Sequence, residues 1–527
     1  MLSLLIWLPI ASAVVIGLLP KQFSSSQIRS GAVWLSGAVL LWSIWLLTQF
    51  DLSRSTFQFQ EYVPWLGNLG LSYELGLDGL SLMLIVVNSF LTWIAIFSSS
   101  AAIERPRLFY SLILLVSGGV AGAFLAQNLL LFFLFYELEL VPFYLLVAIW
   151  GGANRGYAAV KFLVYTAVSG ILILAGFLGL VWLSGAPDFS YSSVLNQNLA
   201  IGLQVLLLGV LLVGFGIKMP LVPFHTWLPD TYVAASTPVV ILLGGVLAKL
   251  GAYGIFRFGL QLFPEAWSIL SPFLATWAAV SIIYGAVAAI AQKDIKRMVA
   301  YSSVGHMGYI LLGAASLVPL AAIGAVAQMV VHGLILAILF HLVGLIETKV
   351  GSRELDVLNG LLNPIRGLPF VSALLILGAM ASAGIPGLAG FVAEFLIFQG
   401  SYAVFPIQTL LAVIGTGLTA VYFVILLNRT CFGKLDNASA YYPKVFGFEK
   451  LPALILATLI LFLGIQPKWL VRWTETTTTA MLAAAPAVRP ETTIAELAGL
   501  IRSDLVSASS APMLTDAISD ARSELPN

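Results

Sequence analysis

Apolar residues run along this chain in stretches of about twenty, separated by short polar joints. A helix that crosses a bilayer satisfies its backbone internally and needs about 20 mostly apolar residues. Spans are therefore expected near 2–19, 31–50, 80–98, 108–126, 129–150, 162–184, 200–222, 236–258, 268–290, 301–317, 320–345, 368–399, 405–428 and 451–467, about fourteen in all. The first reads as a true span and not a cleavable leader, because it lacks a basic start and holds Pro9 within a run long enough to cross. Two spans are interrupted. In GVLLVGFGIKMPLVPFHTWLPD, Pro220 and Pro223 remove two backbone donors just beyond Lys218. In LGAMASAGIPGLAGFVAEFLIF, Pro386, Gly387 and Gly390 break the run shortly before Glu394. These are the seventh and twelfth spans, and an offset of five makes equivalent helices run in opposite directions, as an inverted repeat requires. Kinked helices of purely structural purpose are the plainer alternative.

The polar joints orient the spans. Numbered from the N-terminus, the odd loops hold sixteen basic residues, among them Arg105, Arg107, Lys293, Lys296, Arg297 and Arg353. The even side holds four: Arg54, Arg257 near a helix end, Lys468 and Arg472. Positive charge marks the cytoplasmic side, so both termini are expected on the opposite one. The 51–79 loop carries Asp51, Glu61, Glu74 and Asp78 against Arg54 and reads as a structured connection on that outer side. From about residue 473, a threonine run and an Ala/Pro stretch read as a linker, followed by a short amphipathic helix over 491–507.

Composition excludes other classes. The chain has 527 residues, 60% hydrophobic and 9% charged, whereas a soluble domain carries ~25% charged residues. A net charge of +1 gives no footing for nucleic acid. A single cysteine, Cys431, excludes a disulfide framework and any thiolate-built metal cluster from this chain alone.

The chemistry then rests on the few charges inside the spans: Glu137, Glu139, Lys218, Lys249, Arg257 and Glu394, with His306, His332 and His341. An unpaired charge at the bilayer centre costs ~2.5–3.5 kcal/mol on insertion scales, so each needs a partner, water or a function. Arg257, near a helix end, is expected to snorkel and serve structure. Glu137 and Glu139 stand about 200° apart around a helix, so one faces the interior and the other does not; spacing alone does not choose between them. Lys249 has small neighbours that leave room for water, though a lysine permanently tied to a backbone or glutamate partner fits as well. His332 and His341 are nine residues apart, half a turn out of phase, and cannot ligate one metal or haem. A lone histidine is usually a hydrogen-bonded core residue. Ionisable groups strung over helices five, seven, eight, ten, eleven and twelve are instead what proton conduction requires.

The stretches YELELVPFYLL, KMPLVPFHTWLPD, QKDIKRMVAYSSVGHMGYILLG and GIPGLAGFVAEF resemble the antiporter-like membrane subunits of respiratory complex I and its relatives, and the resemblance covers nearly the whole chain. A glutamate in the twelfth helix, Glu394, is similar to the chain-4 type, and ELELVPFYLL and RTCFGKL resemble its cyanobacterial and chloroplast branch. The resemblance implies an all-α polytopic membrane fold with helices 4–8 and 9–13 as inverted repeats and helices 7 and 12 broken. The corresponding organisation is 1–107 (helices 1–3), 108–260 (first repeat), 261–430 (second repeat), 431–472 (loop and helix 14) and 473–527 (tail). It favours Glu137 as the interior acid, paired with Lys218, with Lys249 as central connector and His306, His332 and Glu394 as the route onward. It implies no cofactor in this chain, with electrons passing elsewhere from NAD(P)H or ferredoxin to plastoquinone in a thylakoid membrane. Neighbouring antiporter-like subunits and lipids would be its partners. One departure stands out: the family commonly has Asp-Ala-His after WLP, whereas here Thr231 and Tyr232 follow Asp230. That wording resembles forms that serve carbon-dioxide uptake, which implies a CO2-hydrating partner. Competing readings are an Mrp-type sodium/proton antiporter subunit, a b-type haem carrier and a scaffold with vestigial charges.

Overall fold

The computed structural model describes residues 1–20, 22–100, 102–195, 199–435, 441–486 and 488. Eleven helices among them are long and apolar enough to cross a membrane. The remaining expected spans take other forms. The first is the shorter helix Ser3–Leu18, and that at 301–317 falls on Ile295–Ala315, which starts earlier and ends two residues sooner. The span at 368–399 divides into Pro369–Ser382 and Ala389–Ser401.

Each interruption has a local cause. Ile201–Lys218 stops at the lysine, and the chain turns through Pro220 and Pro223 before Trp227–Ala234 begins. Prolines there withhold amide donors that a continuing helix would need. Between Pro369–Ser382 and Ala389–Ser401, Gly384 and Gly387 adopt φ of +67° and +90°, which glycine tolerates and other residues resist. A third interruption separates Leu129–Leu138 from Leu140–Trp150 at Glu139, where the Pro142 ring displaces the carbonyl one turn back. Thr237–Leu260 is continuous but contains two π-helical segments, Leu243–Leu247 and Ile255–Leu260.

Thr237–Leu260 and Pro319–Val350 are buried along their apolar length and form the middle of the bundle. The first carries Lys249, the second His332 and His341. Helices such as Ser25–Gln49, Pro406–Thr430 and Gly447–Ile465 lie at the periphery, with fewer than half of their residues buried.

The 51–79 connection is a hairpin of antiparallel strands Gln58–Leu66 and Leu71–Leu77 with two irregularities in register. It ends in Asp78, which caps Gly79–Phe97 by accepting from Ser81 N–H at 3.0 Å. The linker expected from residue 473 does not begin there. Glu475–Leu482 is a helix seated on the start of Gly79–Phe97, with Thr477, Thr478, Met481 and Leu482 buried. Thr477 Oγ1 accepts from Gly79 N–H at 3.0 Å, and a Cβ at Gly79 would lie 2.2 Å from the Trp473 carbonyl oxygen. The helix expected over 491–507 lies outside the described residues.

Candidate functional site

Lys218 occupies the last turn of its helix, where unsatisfied carbonyls favour a cation. It is 1% exposed and forms an ion pair with Glu139, itself fully buried. Its ammonium also lies 3.8 Å from the centre of the Tyr136 ring. The acid paired with Lys218 is therefore Glu139, and the expected Glu137–Lys218 pair is corrected. Glu137 makes no ion pair with Lys218; its carboxyl rests against Gly170, where a Cβ would collide with Oε1. Glu139, at the break, is fully buried, and Glu137 is only partly so.

Lys249 lies at the bundle centre, 1% exposed. Its ammonium donates to the Gly244 carbonyl, within the first π-helical segment, and to His332 Nδ1 at 2.9 Å. With Nδ1 accepting, the ring hydrogen of His332 sits on Nε2, which has no partner among the described residues. The His332 ring stacks on His306, centroids 5.2 Å apart. His306 Nδ1 lies 2.7 Å from the Ser302 carbonyl and Nε2 3.1 Å from the Ser382 carbonyl, the last residue before the second break. Glu394 Oε1 is 3.7 Å from His306 Nε2. Thr416 donates to Glu394 Oε2 at 3.0 Å, and Tyr309 meets Thr416 at 2.9 Å. Gly384 makes room for Glu394, since a Cβ there would fall 2.7 Å from Oε2. Ile385, Pro386 and Gly387, beside that acid, are exposed.

The structure thus joins Lys249, His332, His306 and Glu394 in one buried thread. Lys218 and Glu139 form a second centre, and the two lysines share no hydrogen-bond partner among the described residues. Their helices meet closely: a Cβ on Gly251 would lie 2.7 Å from Met219 N. His341 belongs to neither, because its Nε2 lies 2.9 Å from the Glu449 carbonyl.

Arg257 does not snorkel. It is 2% exposed, ion-paired with Asp78, and donates to Gln261 Oε1 at 2.8 Å and to Tyr253 OH at 3.2 Å. Sequence reasoning also passed over Asp78, Thr416, Tyr309 and His225. The last is buried in the first break, edge-on to Tyr284 at 4.7 Å. Glu139 and His225 stand in quoted motifs beside prolines, a signal that was available. Tyr232, in the variant WLPDTY wording, donates to the Leu243 carbonyl at 3.0 Å.

Residues 126–419 match the profile of the NADH:quinone oxidoreductase/Mrp antiporter transmembrane family. The chain belongs to this family. It is 37% identical over 519 residues to NAD(P)H-quinone oxidoreductase chain 4 of Prochlorococcus marinus strain NATL2A, covering 96% of this chain and 92% of that one. It is 38% identical to the protein of the same name from Synechococcus sp. strain WH7803, over 89% of this chain and 86% of the other. Among solved structures, a chain of respiratory complex I from Thermus thermophilus superposes with TM-score 0.83 at 29% identity, covering 92% and 99%. A chain of the Mrp complex from Dietzia sp. DQ12-45-1b gives TM-score 0.81 at 21% identity, covering 95% and 99%, a likeness of fold alone. The protein is an antiporter-like membrane subunit of the complex I/Mrp kind, with several charged residues buried inside the bundle.

Proposed function

We propose that this chain moves protons across the membrane as the chain-4-type subunit of an NAD(P)H-quinone oxidoreductase, driven by electron transfer in other subunits. The observation that carries the reading is the run of neighbours from Lys249, hydrogen-bonded to His332, through the stacked His306 ring to Glu394, 3.7 Å from His306 Nε2. Lys249 can pass a proton along its hydrogen bond to His332 Nδ1, making that ring a cation, and the onward step needs the stacked rings to turn so that His332 Nε2–H meets a His306 nitrogen that has given up its own hydrogen. Glu394 receives it beside the exposed break. Lys218, with Glu139 inside ion-pair distance and Glu137 behind it, is the loading centre that sets whether Lys249 is charged. The halves are the inverted repeats 108–260 and 261–430, and Pro220, Pro223, Pro386 and Gly387 open the two breaks to protons.

In this reading the complex takes electrons from NAD(P)H or ferredoxin and delivers them to plastoquinone, with no cofactor held by this chain. The membrane is the thylakoid, both termini lie on the lumenal side, and neighbouring antiporter-like subunits pack against the chain. Thr231 and Tyr232 are the ground for assigning it to a form with a CO2-hydrating partner. Identity of 37% to proteins named as quinone oxidoreductase chain 4 favours this over a cation/proton antiporter of the same fold, and copurification with quinone-reductase subunits tests that choice.

Lys218→Met and Glu394→Gln are each expected to abolish proton uptake by inside-out vesicles while the assembled complex remains present on native gels. Near-normal uptake in either variant overturns the relay.

A further inference from the structure

Lys249, Tyr253, Arg257 and Gln261 fall at intervals of four along one helix. Four α-helical residues overshoot a full turn by about 40°. The wider π-helical turn at Ile255–Leu260 falls short of a full turn by a similar amount, so the four side chains form one polar stripe. The stripe runs from the bundle centre towards the hairpin side. Tyr253 OH donates to the Phe124 carbonyl at 3.1 Å and accepts from Arg257 Nε. Gln261 Oε1 accepts from Arg257 and from Tyr191 OH at 2.7 Å. Tyr191 in turn lines a cleft of about 190 Å³ with Gln127, Glu74 and Glu61. Burial holds the Glu74 carboxyl above the usual carboxylate range, against a hydrogen bond from Ser190. From Tyr253, one turn beyond Lys249, hydrogen-bonded polar groups therefore lead to an outer cleft lined by residues of the first half of the chain.

One member of that line cannot relay a proton. A guanidinium stays charged at any pH a protein meets, and a fixed cation in a narrow path repels hydronium. We propose that Arg257, clamped by Asp78, is a proton barrier: it closes the route from Lys249 to the hairpin-side cleft, so that protons reaching Lys249 leave only by His332, His306 and Glu394. The clamp is built for this. Asp78 comes from the hairpin end and fixes the guanidinium, while the rings of Phe57, Tyr191 and Tyr253 surround it at 4.9, 5.8 and 5.4 Å. The inference rests on Lys249 carrying protons, as proposed above.

The test is passive proton conductance, measured as decay of an imposed pH gradient in vesicles whose only copy of this subunit is the variant, with electron transfer switched off. Arg257→Gln is expected to raise the leak several-fold at an unchanged level of assembled complex, whereas Asp78→Asn, which leaves the cation in place, keeps it at background. Equal leaks in both variants would mean that a packing defect, not a charge barrier, was made, and no leak in Arg257→Gln overturns the proposal outright. In the double variant Lys249→Met, Arg257→Gln the leak should return to background; a leak that persists shows that Arg257 does not guard Lys249. Failure of the relay reading would instead appear as normal pumping in Glu394→Gln. If Arg257→Gln does not assemble, Arg257→Lys carries the test. A lysine can still pair with Asp78 among Tyr191, Tyr253, Gln261 and Phe57 but can release its proton. Its leak should grow as pH rises, and a background rate at every pH counts against the barrier.

Discussion

Two acids stand near Lys218, and they are of unequal standing. Glu139 is its ion-pair partner, yet the lysine's charge also acts on Glu137. Glu139→Gln alone is thus expected to reduce proton pumping less than Lys218→Met, because one carboxylate still balances the ammonium. Substituting both acids strands a buried cation, a loss of about 3–5 kcal/mol when one side of a buried pair is removed. The double variant should match Lys218→Met in vesicle assays and show a lower melting midpoint; pumping that survives it would remove both acids from the mechanism. The acids, lysines and histidines were legible in the sequence because a charge within an apolar run is conspicuous. Their pairing was not. Which glutamate faces inward depends on the turn that Pro142 forces at Glu139, and Arg257 finds its partner 179 residues away in the chain. No periodicity links such distant positions.

Among the elements, the two breaks could be read from proline and glycine, which act on their own backbone. The π-helical segments could not, because no residue type announces them and they arise from packing at the centre. The helix Glu475–Leu482 was hidden for a related reason: threonines suggest a linker until a neighbouring groove buries them. Gly79→Ala should disturb that seat, since its Cβ would meet the Trp473 carbonyl, and overpacking of this kind costs about 1–3 kcal/mol. Limited proteolysis should then cut within 474–486 faster than in the parent protein. The N-terminal helix is docked by Glu61, which accepts from the N-terminal ammonium, Leu2 N–H and the Ser3 hydroxyl. Burial pushes this carboxyl up, but these donors outweigh it and hold it below the usual range. A depressed carboxylate stabilises the docked state above its unfolded pKa, about 4.3, and the contribution fades as pH falls through the lower folded value. Amide exchange in residues 3–18 should therefore rise on acidification below about pH 4, and Glu61→Gln should remove that step.

For the molecule as a whole, the expected pattern of spans was largely recoverable because the bilayer imposes length and apolarity on every crossing. What ties distant helices together was not. Asp230 bridges Lys161 at 2.8 Å and Arg297 at 3.0 Å, joining Arg155–Ser184 to Ile295–Ala315, and Lys296 donates to the carbonyls of Val233 and Ala235. The two Asp230 pairs are partly exposed, so each is worth about 0.2–1 kcal/mol and is screened by salt. Asp230→Asn should lower the melting midpoint slightly at low ionic strength and make it insensitive to added salt; a large drop at every salt concentration would mean the seam is buried deeper than it looks. The peripheral helix Gly447–Ile465 imposes a different constraint. A Cβ on its Gly464 would lie 2.4 Å from the Gly387 carbonyl oxygen and 2.5 Å from Leu388. Backbone thus rests directly on backbone where the twelfth span parts. Any larger residue at 464 would have to lift the peripheral rod off the parted span as a unit, so the seat of that rod and the shape of the break stand or fall together.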